Sequence, residues 1–201
     1  MSGRASLPLL YLCRHGQTDW NAEGRIQGQR DIALNERGRG QARRNGARLR
    51  ELLGDTMEEF DFIASPLSRT VETMRLLREE AGLPAEGFAA EPRLVELHFG
   101  DWQGFTIAEL ARRDPDAVRA RESDKWNYLP EGRGAESYRM LAERVRPVFE
   151  GLKRPSIIVA HGGIARAFLN LFAGCEGDLA AHRMVRQDRV LRWQDSHVDW
   201  V

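Results

Sequence analysis

Short apolar runs separated by long amphipathic stretches set the first expectations for this chain. Residues 9–12, LLYL, form a nearly continuous apolar run, as in a strand of a parallel sheet covered on both faces. The pattern returns at 60–66, FDFIASP, and at 156–163, SIIVAHGG, with a shorter run at 88–90 and a last strand near 189–193. Between these runs the period lengthens to that of a helix. Leu34, Gln41, Ala42, Leu49 and Leu52 predict a helix over 36–53, capped by Asn35 and stopped by Gly54. Leu67, Val71, Met74 and Leu77 predict another, opening at Ser65 and running to Ala81. A third covers 135–151, with Pro147 as a kink, and a fourth 164–172. Strand, turn and helix alternate, which points to an α/β fold around a mostly parallel sheet. Two stretches stand apart. Residues 18–30, punctuated by Gly24 and Gly28, read as a loop. Residues 104–136 read as a weakly amphipathic helical excursion that could cover a pocket. Trp102, Phe105, Trp126 and Tyr128 there fit either pocket walls or the excursion's own small core.

Composition narrows the functional classes. At 201 residues the chain suits one domain, 1–201, with the lid insertion at 104–136, and can bury a core without metal or disulfide staples. Lys and Arg number 30 and Asp and Glu 30, so no overall charge recruits nucleic acid or an anionic membrane surface. Cys13 and Cys175 form no C-x-x-C pattern, which fits a reducing compartment. The opening residues lack a signal-peptide pattern, and no run approaches the ~20 apolar residues of a membrane helix. The expectation is a cytoplasmic protein without nucleic-acid or membrane partners. Its oligomeric state stays open, with a homodimer among the options.

Candidate chemistry gathers where the apolar runs end. Open α/β sheets place their sites at the carboxyl ends of strands. Two strands here end in histidine and glycine, Arg14-His15-Gly16 and His161-Gly162-Gly163. A guanidinium fork suits a phosphate, and a neutral imidazole is a nucleophile near pH 7. A strand-end histidine bonded to a neighbouring carbonyl fits the first stretch equally well. Asn21, Arg25 and Gln27 could turn donors toward His15 or belong to a solvated loop. Arg69 falls in the first turn of a helix, where a cation is misplaced unless an anion binds beside it. Glu96 lies among Leu94, Val95 and Leu97, neighbours expected to desolvate it and suit it to acid catalysis; a surface loop glutamate is the alternative. His98 reads as structural. A metal site built on two histidines and a glutamate lacks H-x-x-x-H or H-x-x-E spacing, and two arginines oppose a cation.

Arg14-His15-Gly16, Ser65-Pro66-Leu67-Ser68-Arg69, Glu96 within LVELHFGDWQG and His161-Gly162 occur in this order across nearly the whole chain. Together they resemble the histidine phosphatase superfamily, the phosphoglycerate mutase-like family. The resemblance implies a three-layer α/β/α sandwich in which His15 is phosphorylated. Arg14, Arg69 and a protonated His161 would hold the phosphoryl group, with Glu96 as proton donor. Asn21, Gln27, Gly28 and Gly162 match pocket-lining positions, whereas Gln187-Asp188 and Gln103 depart from the family pattern. The implied activity is hydrolysis of a small phosphorylated metabolite through phosphohistidine, with no cofactor and no metal. A phosphoglycerate mutase is the alternative and an idle phosphoester-binding module a weaker one. The short excursion and the short stretch after Val190 favour the phosphatase, because a mutase must shield its phosphohistidine from water.

Overall fold

The first apolar run becomes β1 (Leu10–Arg14), followed by a single helical turn, α1 (Asp19–Ala22), and the long α2 (Glu36–Leu53). These come from a computed structural model that describes residues 7–201. The expectation about a signal peptide therefore falls partly on residues 1–6, outside the described residues. Further along come β2 (Asp61–Ala64), α3 (Ser68–Glu80) and the short β3 (Ala89–Ala90). The excursion forms α4 (Ile107–Arg113) and α5 (Pro115–Ser123), hinged at Asp114, whose carboxylate accepts from Ala117 N at 2.9 Å. The chain returns as α6 (Tyr138–Glu150), β4 (Ser156–Ala160) and α7 (Gly162–Leu171), then α8 (Gly177–His182), β5 (Val190–Gln194) and β6 (His197–Trp200). Helix α6 runs through Pro147 without a break.

The six strands form one sheet in the order β3-β2-β4-β1-β5-β6. The first four are parallel, and β5 and β6 are antiparallel additions at one edge. The two-residue period of β1 divides its side chains between two cores. Leu10 and Leu12 join Ile158, Leu141, Val145, Phe149 and Phe168 under α6 and α7. Tyr11 and Cys13 join Ile157, Val159, Leu49, Met74 and Leu77 under α2 and α3. That is the three-layer α/β/α arrangement, with both faces of the central strands covered.

The structure corrects several sequence expectations. Residues 18–30 are not all loop: Thr18 caps α1 reciprocally with Asn21. Helix α3 begins at Ser68 rather than Ser65. Its N-cap, Leu67, offers no side-chain acceptor, and Asp31 instead accepts from Ser68 N at 3.0 Å. The strand β6 and helix α8 had no expectation at all. Asp195 and Ser196, at φ 50° and 63°, make the two-residue turn between β5 and β6, a conformation that Asn-Gly usually announces.

Helices α2 and α3 meet through Gly46, where a Cβ would stand 2.4 Å from the Leu77 carbonyl oxygen. In an isolated helix, Gly→Ala gains about 1 kcal/mol. Here steric overlap with backbone reverses the sign, and Gly46→Ala is expected to cost about 1–3 kcal/mol. A urea midpoint that falls at unchanged m-value would bear this out; a rise would refute the close packing.

Candidate active site

Parallel pairing of β1 with β4 sets Arg14 beside Ala160, and His15 N donates to the Ala160 carbonyl at 3.0 Å. The next residue on each strand is therefore a histidine on the same rim. The two imidazole centroids lie 5.2 Å apart at an interplanar angle of 63°. Gly16 is required by a close backbone contact. A Cβ there would stand 2.2 Å from the Gly38 carbonyl oxygen, so the close approach is to the first turn of α2.

His15 is 3% exposed, and its Nδ1–H donates to the Gly16 carbonyl at 2.7 Å. That bond assigns the proton to Nδ1 and leaves the Nε2 lone pair free. Burial, followed by Arg69 and Arg14, holds the His15 pKa well below 6.5, so the ring is neutral. The strand-end carbonyl bond and the nucleophile reading are thus compatible. His161 is fully buried. Its Nδ1 accepts from Arg69 Nη2 at 3.3 Å, and its Nε2–H donates to Ser65 Oγ at 2.8 Å. Burial, Arg69 and His15 depress its pKa well below 6.5. The expected protonated His161 is therefore a neutral ring, because a third positive charge would be buried against two arginines.

Arg69 is 0% exposed, and its pKa is pulled down to about 10, mainly by burial. Its donors reach the carbonyls of Arg30 and Gly28, each at 2.7 Å, besides His161. With the Gln27 amide oriented to satisfy its neighbours, its oxygen also accepts from Arg69 Nη1 at 3.1 Å and its nitrogen donates to Thr18 Oγ1 at 2.8 Å. A carboxylate of the chain itself stands beside this first-turn arginine: Asp31, 3.9 Å from Nη1 and bonded to the start of α3. Arg14 is less committed. Its Nη1 donates to the Val185 carbonyl at 2.9 Å, while its Nε–H is buried without a partner.

Glu96 does not sit in the apolar surroundings expected of it. Its carboxylate accepts from Leu97 N at 2.9 Å and, through both oxygens, from Gly163 N at 3.1 Å. It thereby caps α7, whose own N-cap residue, His161, makes no side-chain cap bond. A Cβ on Gly163 would stand 2.2 Å from Oε1, so only glycine admits the carboxylate there. Asn21 Oδ1 accepts from Gln187 Nε2 at 3.0 Å, and the same Nε2 donates to the His15 carbonyl at 3.1 Å. Gln187, noted in the sequence only as a departure, thus ties the His15 backbone to Asn21. Gly28 leaves room for the Gln103 amide, which accepts from Gln29 N at 2.8 Å. His98 is structural, as expected: its Nδ1 accepts from Gly100 N at 3.0 Å.

Arg14, His15, Asn21, Gln27, Gly28, Arg69 and Glu96 line a cavity of about 190 Å³ together with Ile26, Phe99, Ile107 and Tyr138, whereas His161 and Gly162 stand behind its wall. Its cations are Arg14, Arg25, Arg69, Arg121, Lys125 and Arg166, against the single carboxylate of Glu96. Arg121, Lys125, Arg166 and Tyr138 were missed in the sequence, where the excursion drew attention for its aromatics. Those aromatics do not line the cavity. Trp126 stacks on Tyr138 at 5.9 Å, Tyr128 packs on Trp102 at 5.3 Å, and Arg113 lies 4.5 Å over Phe105.

A strand-end neutral histidine with arginines converging on it, in a three-layer α/β fold, defines an enzyme that handles phosphoryl groups at histidine. The chain belongs to the histidine phosphatase superfamily (branch 1), whose profile matches residues 10–193. It is 37% identical over 171 residues to a glucosyl-3-phosphoglycerate phosphatase of Mycobacterium tuberculosis, covering 79% of this chain and 72% of that protein. It is 34% identical over 174 residues to a 2,3-bisphosphoglycerate-dependent phosphoglycerate mutase 2 of Gloeobacter violaceus, covering 81% and 74%. The solved structure of a mycobacterial glucosyl-3-phosphoglycerate phosphatase with VO3 superposes with a TM-score of 0.78, at 31% identity and 96% coverage of both chains.

Two buried neutral histidines make stability depend on pH. As pH falls through 6.5, the unfolded chain takes up protons that folded His15 and His161 refuse, so the fold loses stability. The expected slope is about 1.4 kcal/mol per pH unit for each histidine. Urea denaturation between pH 5 and 6.5 should give a visibly shallower slope for His161→Gln than for the wild type. Equal slopes would mean that His161 titrates normally in the fold.

Proposed function

We propose that this chain is a metal-independent phosphomonoesterase that acts on small phosphorylated metabolites through phosphohistidine at His15. The observation that carries the reading is the fixed tautomer of His15: Nδ1–H is held by the Gly16 carbonyl, so Nε2 presents a lone pair beside Arg14. In-line attack by Nε2 on phosphorus breaks the ester bond. Transition-state charge spreads over the equatorial oxygens, where preorganised donors stabilise it. Arg14, with its unpartnered Nε–H, supplies such a donor directly. Arg69 contributes mainly by positive field, and the neutral His161 ring by fixing the walls, since most of their donors are already engaged. Glu96 lines the same cavity and is the proton donor to the leaving oxygen, then the base for the water that hydrolyses phosphohistidine. Asn21, Gln27 and Gly28 shape the walls, and Gly162 leaves room behind them for the guanidinium group of Arg14. Residues 104–136 act as a lid on a single domain, with charged rather than aromatic residues at the mouth. Two free cysteines support a cytoplasmic location. No helix among the described residues is long and apolar enough to cross a membrane.

Rapid acid quench and base quench during turnover of a phosphomonoester are expected to trap acid-labile, base-stable phosphate on the wild type and none on His15→Ala. Label retained by that variant would remove His15 from the reaction. With 3-phosphoglycerate and a trace of 2,3-bisphosphoglycerate, released phosphate should exceed 2-phosphoglycerate; efficient isomerisation would favour the mutase instead.

Glu96→Gln is expected to slow alkyl phosphates by about 10²–10⁴-fold and aryl phosphates far less, because only the poor leaving group needs a proton. Equal losses would point to a different acid.

A further inference from the structure

The peptide unit between His15 and Gly16 is held from both sides. Its N–H, on Gly16, donates to Thr73 Oγ1 at 3.1 Å, and Thr73 Oγ1 donates in turn to the Arg69 carbonyl at 2.7 Å. Its carbonyl, on His15, accepts from Gln187 Nε2 at 3.1 Å. The next peptide unit carries the Gly16 carbonyl that fixes the His15 tautomer, and its N–H, on Gln17, donates to Gln41 Oε1 at 2.8 Å. Three side chains thus keep the backbone beneath His15 from rotating. Thr73 and Gln41 belong to α3 and α2, and Gln187 to the segment between α8 and β5.

That segment is itself tied to the site. Asn45 of α2, 2% exposed, donates to the Gln187 carbonyl at 3.1 Å, and Arg14 donates to the carbonyl of Val185, two residues earlier. The other N–H of Gln187 Nε2 reaches Asn21 Oδ1 at 3.0 Å. Thr18 N donates to the same oxygen at a longer 3.3 Å. An amide carries its acceptor and its donors on opposite arms, so pinning Oδ1 decides where Nδ2 points. Gln27, oriented to satisfy Thr18 and Arg69, turns its nitrogen rather than its oxygen toward Asn21 Nδ2. The Nδ2 donors are therefore left for a ligand in the cavity, which Asn21 lines and Gln187 does not.

We propose that Gln187 is a positioning residue for phosphoryl transfer: from behind the cavity wall it fixes the Asn21 amide as a donor toward the phosphoryl oxygens and steadies the backbone beneath His15. This rests on the phosphatase reading above. A donor fixed before the substrate arrives acts on the transition state without reorganising, so removing Gln187 lowers kcat more than it raises KM.

Gln187→Met keeps the length of the side chain and removes both donors. With p-nitrophenyl phosphate, whose leaving oxygen needs little protonation, kcat should fall about tenfold and KM change less than about twofold, the scale of one or two neutral hydrogen bonds. In an Asn21→Ala background the same substitution should cost only about threefold, because the donor it positions is gone. An undiminished loss in that background, or an unchanged kcat for Gln187→Met alone, would overturn the proposal. Nitrogen NMR of the wild type keeps the test open should the variants fail to fold. On adding inorganic phosphate the Asn21 side-chain NH2 signals should shift, while the Gln187 NH2 protons exchange slowly with water throughout. An Asn21 amide indifferent to phosphate, or a freely exchanging Gln187 amide, would refute the assignment as well. The same titration separates the two readings. A phosphate-induced shift of Asn21 in the wild type but not in Gln187→Met, with no phosphomonoester turned over, would keep the positioning of Asn21 and remove the phosphatase. Turnover that the variant leaves untouched would do the reverse.

Discussion

A fully buried arginine constrains the rest of this molecule. Taking a guanidinium out of water costs several kcal/mol unless its donors are met and its charge is balanced. Around Arg69 the protein meets the donors with main-chain carbonyls at Gly28 and Arg30, with the Gln27 amide and with a histidine ring nitrogen. Balance comes from Glu96 and Asp31, both of which favour the charged arginine. Because carbonyl acceptors do much of this work, the loop at 27–31 must close over α3. One side chain therefore fixes a loop, a helix start and the ring of His161. Burial, and after it that same charge, keep both histidines neutral, the condition that the proposed attack by His15 at neutral pH requires.

Helix ends follow the same economy of charge. Neither α3 nor α7 has an acidic residue in its first turn, yet both starts receive a carboxylate from elsewhere in the chain. Asp31 closes α3 and Glu96 closes α7. Each carboxylate satisfies free N–H groups and the positive end of a helix while also facing Arg69. A side chain that caps a helix is held in place, so Glu96 reaches the cavity with its orientation set by the backbone of Gly163. The requirement for glycine at 163 thus arises from the acid, whereas glycine at 162 makes room for the guanidinium groups of Arg14 and Arg166.

The sheet's centre was legible in the sequence because both faces of β1 and β4 are covered, which forces unbroken apolar runs that end abruptly at His15 and His161. Helices α2 and α6 were legible from their period and caps. The edge of the sheet was not: β6 is half exposed, so its residues carry no apolar run, and its turn uses Asp195 and Ser196 in place of glycine. At the site, residue types pointed to Arg14, His15, Arg69, Glu96 and His161; the structure brings the first four around one cavity and buries His161 behind them, against Arg69 and His15. What sequence could not supply was which donors are already engaged. Asp31 lies 37 residues before Ser68, and Gln187 lies 172 residues after His15. No local pattern connects such pairs, or shows that the donors of Arg69 meet the carbonyls of Gly28 and Arg30. The aromatic residues of the excursion misled for a related reason: size and hydrophobicity mark a residue as buried without saying which surface it covers.

That last point bears on what the cavity selects. Trp126 and Tyr128 fasten the excursion to α6, α8 and Trp102, and so give it a fixed position from which Arg121 and Lys125 reach the cavity. A space of about 190 Å³ is smaller than the ~300–1,000 Å³ typical of pockets that bind by enclosing apolar surface. Only Ile26, Phe99, Ile107 and the ring of Tyr138 offer such surface here. Binding energy must therefore come chiefly from charge, in a low-dielectric cleft where opposite charges attract more strongly than in water. Charge of that kind does not distinguish ground state from transition state by itself. Distinction enters where geometry is fixed before the substrate arrives: the tautomer of His15, the orphan Nε–H of Arg14 and the carboxylate pinned to α7. The pocket's cations recruit the phosphoester, and the hydrogen bonds that immobilise these three groups decide what happens to it.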